Sequence, residues 1–233
     1  MRQRDEPPVP PAGNPKTPPP APDKKYVSRG GLKLAHALDK FRVDPAGLTC
    51  ADFGCSTGGF TDCLLQHGAA RVYALDTAYG QLAWTLRTDP RVTVMERTSC
   101  LHAAPPTGGV DLIVIDAGWT PQRLLIPAAL RWLKPAHNAR IITLIKPHYE
   151  DKPAADAHRG VLPDELGAAV VARVLSELPV LAVRVAASTP SPIRGLVGKS
   201  ARGNLEYLAL LERARENRPR RASGFTGLLS PRL

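Results

Sequence analysis

No uncharged apolar stretch in the 233 residues approaches the roughly 18 that a membrane-spanning helix requires. A secretory signal is missing as well, because Arg2, Arg4, Asp5 and Glu6 stand where its apolar core would be, ahead of a proline run. The expected compartment is the cytoplasm, with no membrane partner. Cysteine is scarce. Residues 50, 55, 63 and 100 form no C-x-x-C pair, and no histidine pair follows at ligand spacing, so no metal site is expected. The apolar settings of Cys50 and Cys63 predict small buried side chains in a reducing compartment. No internal repeat of roughly 20–50 residues is visible, which removes solenoids and propellers.

What remains is a chain of globular composition. With 43% hydrophobic and 22% charged residues, it is neither collagen, coiled coil nor wholly disordered. Its length suits one domain with a real core. The net charge is +10, and most of the excess lies at the ends. Residues 1–25 hold nine prolines and a net +2, and are expected to form an extended, disordered tail. Residues 212–233 hold six arginines against Glu212 and Glu216, and are expected to form a basic, flexible tail. The fold is expected over 26–211. Basic tails attract nucleic acid without regard to sequence, but a merely solvated tail has the same composition. Charge alone leaves the partner open.

Periodicity supplies the architecture. Leu32, Ala35, Leu38 and Phe41 recur at helical spacing, giving an opening helix. Short apolar runs at 48–53, 71–76, 92–96, 110–116, 140–146, 180–186 and 205–211 read as strands. Helical patterns lie between them near 59–67, 80–87, 122–133 and 163–178. This alternation predicts an α/β fold with a mostly parallel sheet covered on both faces. Such sheets bind ligands beyond the carboxyl ends of their strands. Asp52, Asp76, Asp116 and Lys146 stand at strand ends.

The first strand runs into Asp52-Phe53-Gly54-Cys55-Ser56-Thr57-Gly58-Gly59-Phe60. Its glycines permit a sharp turn and close approach of a ligand. Phe60 stands where a P-loop needs lysine, and the spacing of Gly54, Gly58 and Gly59 is not the dinucleotide-binding spacing. Asp52 at the loop mouth would repel a pyrophosphate and attract an ammonium or sulfonium, and S-adenosylmethionine carries both. Asp76, 22 residues past Gly54, suits ribose hydroxyls, although aspartate there is also a common helix cap.

At this point the residues resemble a known family. Tyr26-Val27-Ser28-Arg29-Gly30-Gly31-Leu32-Lys33-Leu34, Ser56 to Cys63, Tyr79-Gly80-Gln81-Leu82-Ala83-Trp84, Asp89-Pro90-Arg91-Val92, Leu144-Ile145-Lys146-Pro147 and Gly203-Asn204-Leu205-Glu206-Tyr207-Leu208 look like the TlyA-type RNA methyltransferases. These form a branch of the FtsJ-like 2′-O-ribose methyltransferases. The resemblance implies a class I S-adenosylmethionine-dependent methyltransferase with a seven-stranded sheet, in which the strand after Glu206 is antiparallel. It implies a catalytic tetrad of Lys33, Asp116, Lys146 and Glu206, with the cofactor held by Asp52, Gly54, Ser56, Gly58, Gly59, Phe60, Asp76 and Asp116. RNA, with ribosomal RNA as its class, is the implied substrate. Three departures stand out. The small S4 RNA-binding domain usual in the family has a proline-rich tail in its place, so a partner protein, a ribosomal surface or the arginine tail must capture RNA. Ala117-Gly118-Trp119 replaces a small apolar-Ser-Phe string. Extra residues around 198–202 precede Gly203.

A ribose 2′-hydroxyl is scarcely ionised at neutral pH, so methylating it needs in-line orientation and help with one proton. Lys146 is expected to be the proton acceptor, provided desolvation or a cation such as Lys33 lowers its pKa. Asp116 and Glu206 would push it the other way. Without the resemblance, Lys33 reads as a solvated flank, Asp116 as a cap and Glu206 as the outer face of an edge strand. Lys146, after a buried strand, is harder to dismiss, since a lysine there is costly unless paired or used. The Asn/Asp-Pro-Pro-aromatic string of amine methylation is missing, and Cys100 follows the wrong strand for cytosine C5 chemistry. A catalytically inactive RNA-binding or ribosome-binding module is the alternative from another class. A haemolytic, pore-forming role finds no apolar segment.

Overall fold

The computed structural model describes residues 25–136, 138–195 and 203–214. Of the expected tails at 1–25 and 212–233, residues 1–24 and 215–233 lie outside the described residues, as does the extra segment at 198–202. Seven strands, β1 (Thr49–Phe53), β2 (Arg71–Leu75), β3 (Val92–Met95), β4 (Leu112–Ile115), β5 (Arg140–Ile145), β6 (Val183–Pro190) and β7 (Tyr207–Arg213), make one sheet. Its order is β3-β2-β1-β4-β5-β7-β6. β7 runs antiparallel to both neighbours, and the remaining pairings are parallel. The chain leaves β1 toward one edge and β4 toward the other. The crevice beyond Phe53 and Ile115, which are paired in register, is therefore the topological switch point.

Alternation along the strands builds two apolar layers. Cys50, Val72, Val114, Ile142 and Leu144 pack under α1 (Gly30–Phe41), α2 (Gly59–Gln66) and α3 (Trp84–Arg87). Phe53, Ile113, Ile115, Ile141 and Ile145 face α4 (Gln122–Trp132) and, through Val171 and Val174, a later helix at Asp164–Glu177. Trp132 meets Phe53 edge-on at 5.4 Å. All four residues of β4 are buried, as a central parallel strand requires. The short helices α5 (Pro147–Glu150) and α6 (Lys152–Ala157) lead from β5 to that later helix, α7.

The sequence reading needs correction at its edges. The sixth strand starts at Val183, because Leu178–Leu181 forms a 3-10 turn with Pro179 near its start and Val180 88% exposed. β7 continues through Arg213, two residues past the expected end of the domain. Arg213 donates to the carbonyls of Leu130 and Leu133, so it ties β7 to α4 and is no tail residue. Only Trp84–Arg87 is helical in the stretch expected to be helical at 80–87. Among the described residues no helix is long and apolar enough to cross a membrane.

Candidate active site

The turn after β1 is shaped by what packs against it. Gly54 has φ +87°, and a Cβ there would lie 2.9 Å from Ala117 Cα, so the bare glycine lets the turns after β1 and β4 touch. A Cβ on Gly59 would sit 2.2 Å from Ser28 Oγ and 2.8 Å from Gly31 N, which brings the start of α1 onto the same turn. Asp76 fixes the opposite wall: its carboxylate accepts the N–H groups of Ser56 at 2.7 Å and Ala78 at 2.8 Å. Those two bonds leave about two of its roughly four acceptor positions for another donor pair. A ribose diol is such a pair.

Two expected ligands stand elsewhere. Asp52 is fully buried, on the α2 side of β1 rather than at the mouth of the cleft. Thr61, in the first turn of α2, donates to its Oδ2 at 2.7 Å, and Oδ1 has no partner among the described residues. Burial above all, with the charges of Asp116 and Asp76, raises its pKa to about 7 despite Thr61. Gly58 caps α2 at φ +101°, backed by Leu82 and Leu86 where a Cβ would be. Both residues shape the loop from behind. Gly54, Ser56, Gly59, Phe60, Asp76 and Asp116 line the cleft itself.

The four tetrad residues converge on this cleft as two ion pairs. Lys33, on the inner face of α1, has its ammonium 2.5 Å from Glu206 Oε2, with both residues buried. Lys146, at the end of β5, lies 2.6 Å from Asp116 Oδ1 and 3.4 Å from the Asp116 carbonyl. Gly195 admits Glu206, since a Cβ there would meet Oε1 at 2.7 Å. Thr143 and Gln122, both buried, join the end of β5 to the start of α4 through a 2.7 Å bond. Of the two opposing influences on Lys146 that the sequence left open, the carboxylates win. Burial pulls the Lys146 pKa down, but Asp116, then Glu206 and Tyr149, more than offset it and leave it above the ordinary lysine value. Lys33 is itself neutralised by Glu206.

The sequence reading missed the aromatic mouth. Trp119 has φ +62° and is 86% exposed, and its ring lies 5.0 Å from that of Tyr149. His148 packs on Tyr149, and burial together with Lys146 holds its pKa near 4, so it is neutral. Gln81 and Ser99 also line the cleft. A strand-end lysine followed by Pro147-His148-Tyr149 was the available signal. The cavity of about 1190 Å³ exceeds the roughly 300–1,000 Å³ that takes one small ligand, leaving space for a cofactor and a substrate group together.

The family of this arrangement is shown by comparison with known proteins. The chain is 38% identical over 206 residues to the 16S/23S rRNA (cytidine-2′-O)-methyltransferase TlyA of Mycobacterium tuberculosis H37Rv, covering 87% of this chain and 74% of that protein. A solved structure from Lactococcus lactis that carries a hemolysin name is 38% identical, with TM-score 0.72, covering 80% of this chain and 88% of that one. An S-adenosylmethionine-dependent methyltransferase from Mesorhizobium loti, at 18% identity and TM-score 0.54, shares the fold over 76% of this chain and 96% of its own. The FtsJ-like methyltransferase model matches residues 26–155, a segment that holds the glycine turn, Asp76, Lys33, Asp116 and Lys146. The chain belongs to the FtsJ-like methyltransferase family.

Proposed function

We propose that this protein transfers a methyl group from S-adenosylmethionine to a ribose 2′-hydroxyl of RNA, with ribosomal RNA as the substrate class. The observation that carries the reading is the convergence of Lys33–Glu206 and Lys146–Asp116 on a cleft at the switch point of a methyltransferase fold. Asp76 would hold the cofactor's ribose, and the turn from Gly54 to Phe60 its methionine end. The activity of the TlyA relative supplies the acceptor class.

S-adenosylmethionine, when bound, supplies the methyl group on a sulfonium, whose charge disfavours a second cation beside it. Lys146 is an ammonium in the protein as described, so it takes the hydroxyl proton only after giving up one of its own. A substrate filling the cleft strips water from the ammonium and works in that direction. Asp116 aims the side chain. Lys33 and Glu206 form a paired, nearly neutral flank that holds the electrostatics of the cleft steady.

Trp119 offers an unpaired base a ring at the cleft mouth, the usual means of holding a splayed nucleotide. Wider capture of RNA falls to the arginines of 215–233, to a ribosomal surface or to a partner protein. The test is methyl transfer from labelled S-adenosylmethionine to purified ribosomal RNA and ribosomal subunits. Wild type should label ribose and Lys146→Ala should not. RNA binding without transfer by wild type would instead support the inactive binding module.

A further inference from the structure

The acid that follows β3, Glu96, does not line the cleft. It is turned into the protein with its side chain only 7% exposed. Its Oε1 accepts the N–H of Gly80 at 2.8 Å and lies 2.5 Å from the Arg87 guanidinium. Burial pushes the Glu96 carboxyl up, but Arg87 and the N–H groups of Gly80 and Leu82 more than offset this, so it stays charged. A buried carboxylate is tolerated only where it is this fully compensated. What compensates it is Arg87 of α3 together with the backbone N–H groups of Gly80 and Leu82, both in the singled-out string Tyr79-Gly80-Gln81-Leu82-Ala83-Trp84.

The loop of residues 77–83 reaches the glycine turn at three points. Gln81 accepts the Ser56 hydroxyl at 3.3 Å, Ala83 N–H donates to the Thr57 carbonyl at 3.1 Å, and Leu82 fills the space behind Gly58. Ser56 is also the residue whose N–H is held by Asp76. A chain of contacts therefore runs from Glu96 through Gly80 and Gln81 to the cofactor wall of the cleft.

We infer that Gln81 is a further cofactor-contacting residue at the ribose end of the cleft, and that Glu96 is the positioning residue that sets it there. Glu96 acts through the loop backbone, with no contact of its own to the ligand. This rests on the cleft being the S-adenosylmethionine site. The experiment is calorimetric titration with S-adenosylhomocysteine of wild type, Gln81→Ala, Glu96→Ala, Glu96→Gln and the Gln81→Ala/Glu96→Ala double variant, with a melting curve for each. Gln81 is exposed, so its substitution leaves the fold intact. Each alanine variant should lose about tenfold in affinity, the size of one well-placed hydrogen bond. Because both act at one place, the double variant should lose no more than the weaker single variant. Glu96→Gln keeps an acceptor for Gly80 and should recover most of the loss. A fully additive double variant, or wild-type affinity in Gln81→Ala, overturns the inference. If wild type itself does not bind S-adenosylhomocysteine, the reading of the cleft fails and the inference with it.

Discussion

Among the charged groups of the cleft, Lys146 and Asp52 carry the clearest consequences. Lys146 begins protonated and must be neutral to accept a proton, so transfer should quicken as pH rises from about 7 to 9. A lysine that served only as a fixed charge would give a flat profile there. Lys146→Arg should transfer nothing while binding S-adenosylhomocysteine within about twofold of wild type, because guanidinium does not give up its proton at working pH. Asp52 has a folded pKa of about 7, above the roughly 3.9 of an unfolded aspartate. Its burial therefore costs nothing below the unfolded value, destabilises progressively between the two pKa values, and reaches full cost above the folded one. Asp52→Asn keeps an acceptor for Thr61 and never ionises. It should raise the melting temperature at pH 8, and the gain should vanish near pH 4. The identity of Asp52 was legible in the sequence, but its direction was not. Strand parity turns it toward α2, and the string Asp52-Phe53-Gly54 looks the same whichever face the parity selects.

Between residue and fold, the elements show what periodicity can and cannot carry. The central parallel strands were legible because burial on both faces writes continuous apolar runs, whereas the half-exposed, antiparallel edge strand β6 was placed three residues early. The fifth, Ile141 to Ile145, is the plainest. The ends drifted where another effect outweighed hydrophobicity: Pro179 delayed β6, and the carbonyls of α4 extended β7 by capturing Arg213. Helices α5 and α6 are four and six residues long, too short for a period to show. The glycine turn was legible in kind, and its strictness comes from contacts no sequence displays. Gly54→Ala places a methyl 2.9 Å from the Ala117 backbone at φ +87°. It should cost at least ~1 kcal/mol of stability in urea denaturation, and abolish detectable S-adenosylhomocysteine binding by separating the turns after β1 and β4. At the rim, Trp119→Ala should raise the KM for RNA about tenfold, the value of one stacked base, with cofactor affinity unchanged.

For the whole molecule, folding is what assembles the site. Lys33 and Glu206 lie 173 residues apart in the chain and Asp116 and Lys146 lie 30 apart, yet all four meet at one crevice. Spacing could not announce this, which is why the resemblance to a family raised the four above their ordinary structural readings. Charge follows the same logic at a larger scale. Residues 215–233 hold five arginines against Glu216. Removing them, while sparing Arg213, should weaken RNA binding and flatten the slope of log affinity against log salt by as much as ~3. An unchanged slope would take this segment out of RNA capture. The most direct measurement is mass-spectrometric mapping of ribose methylation in ribosomal RNA from three otherwise identical cell populations: with the wild-type protein, with Lys146→Ala, and without the protein. The proposed function requires at least one 2′-O-methyl group present only with wild type. The same methylation map in all three would contradict it.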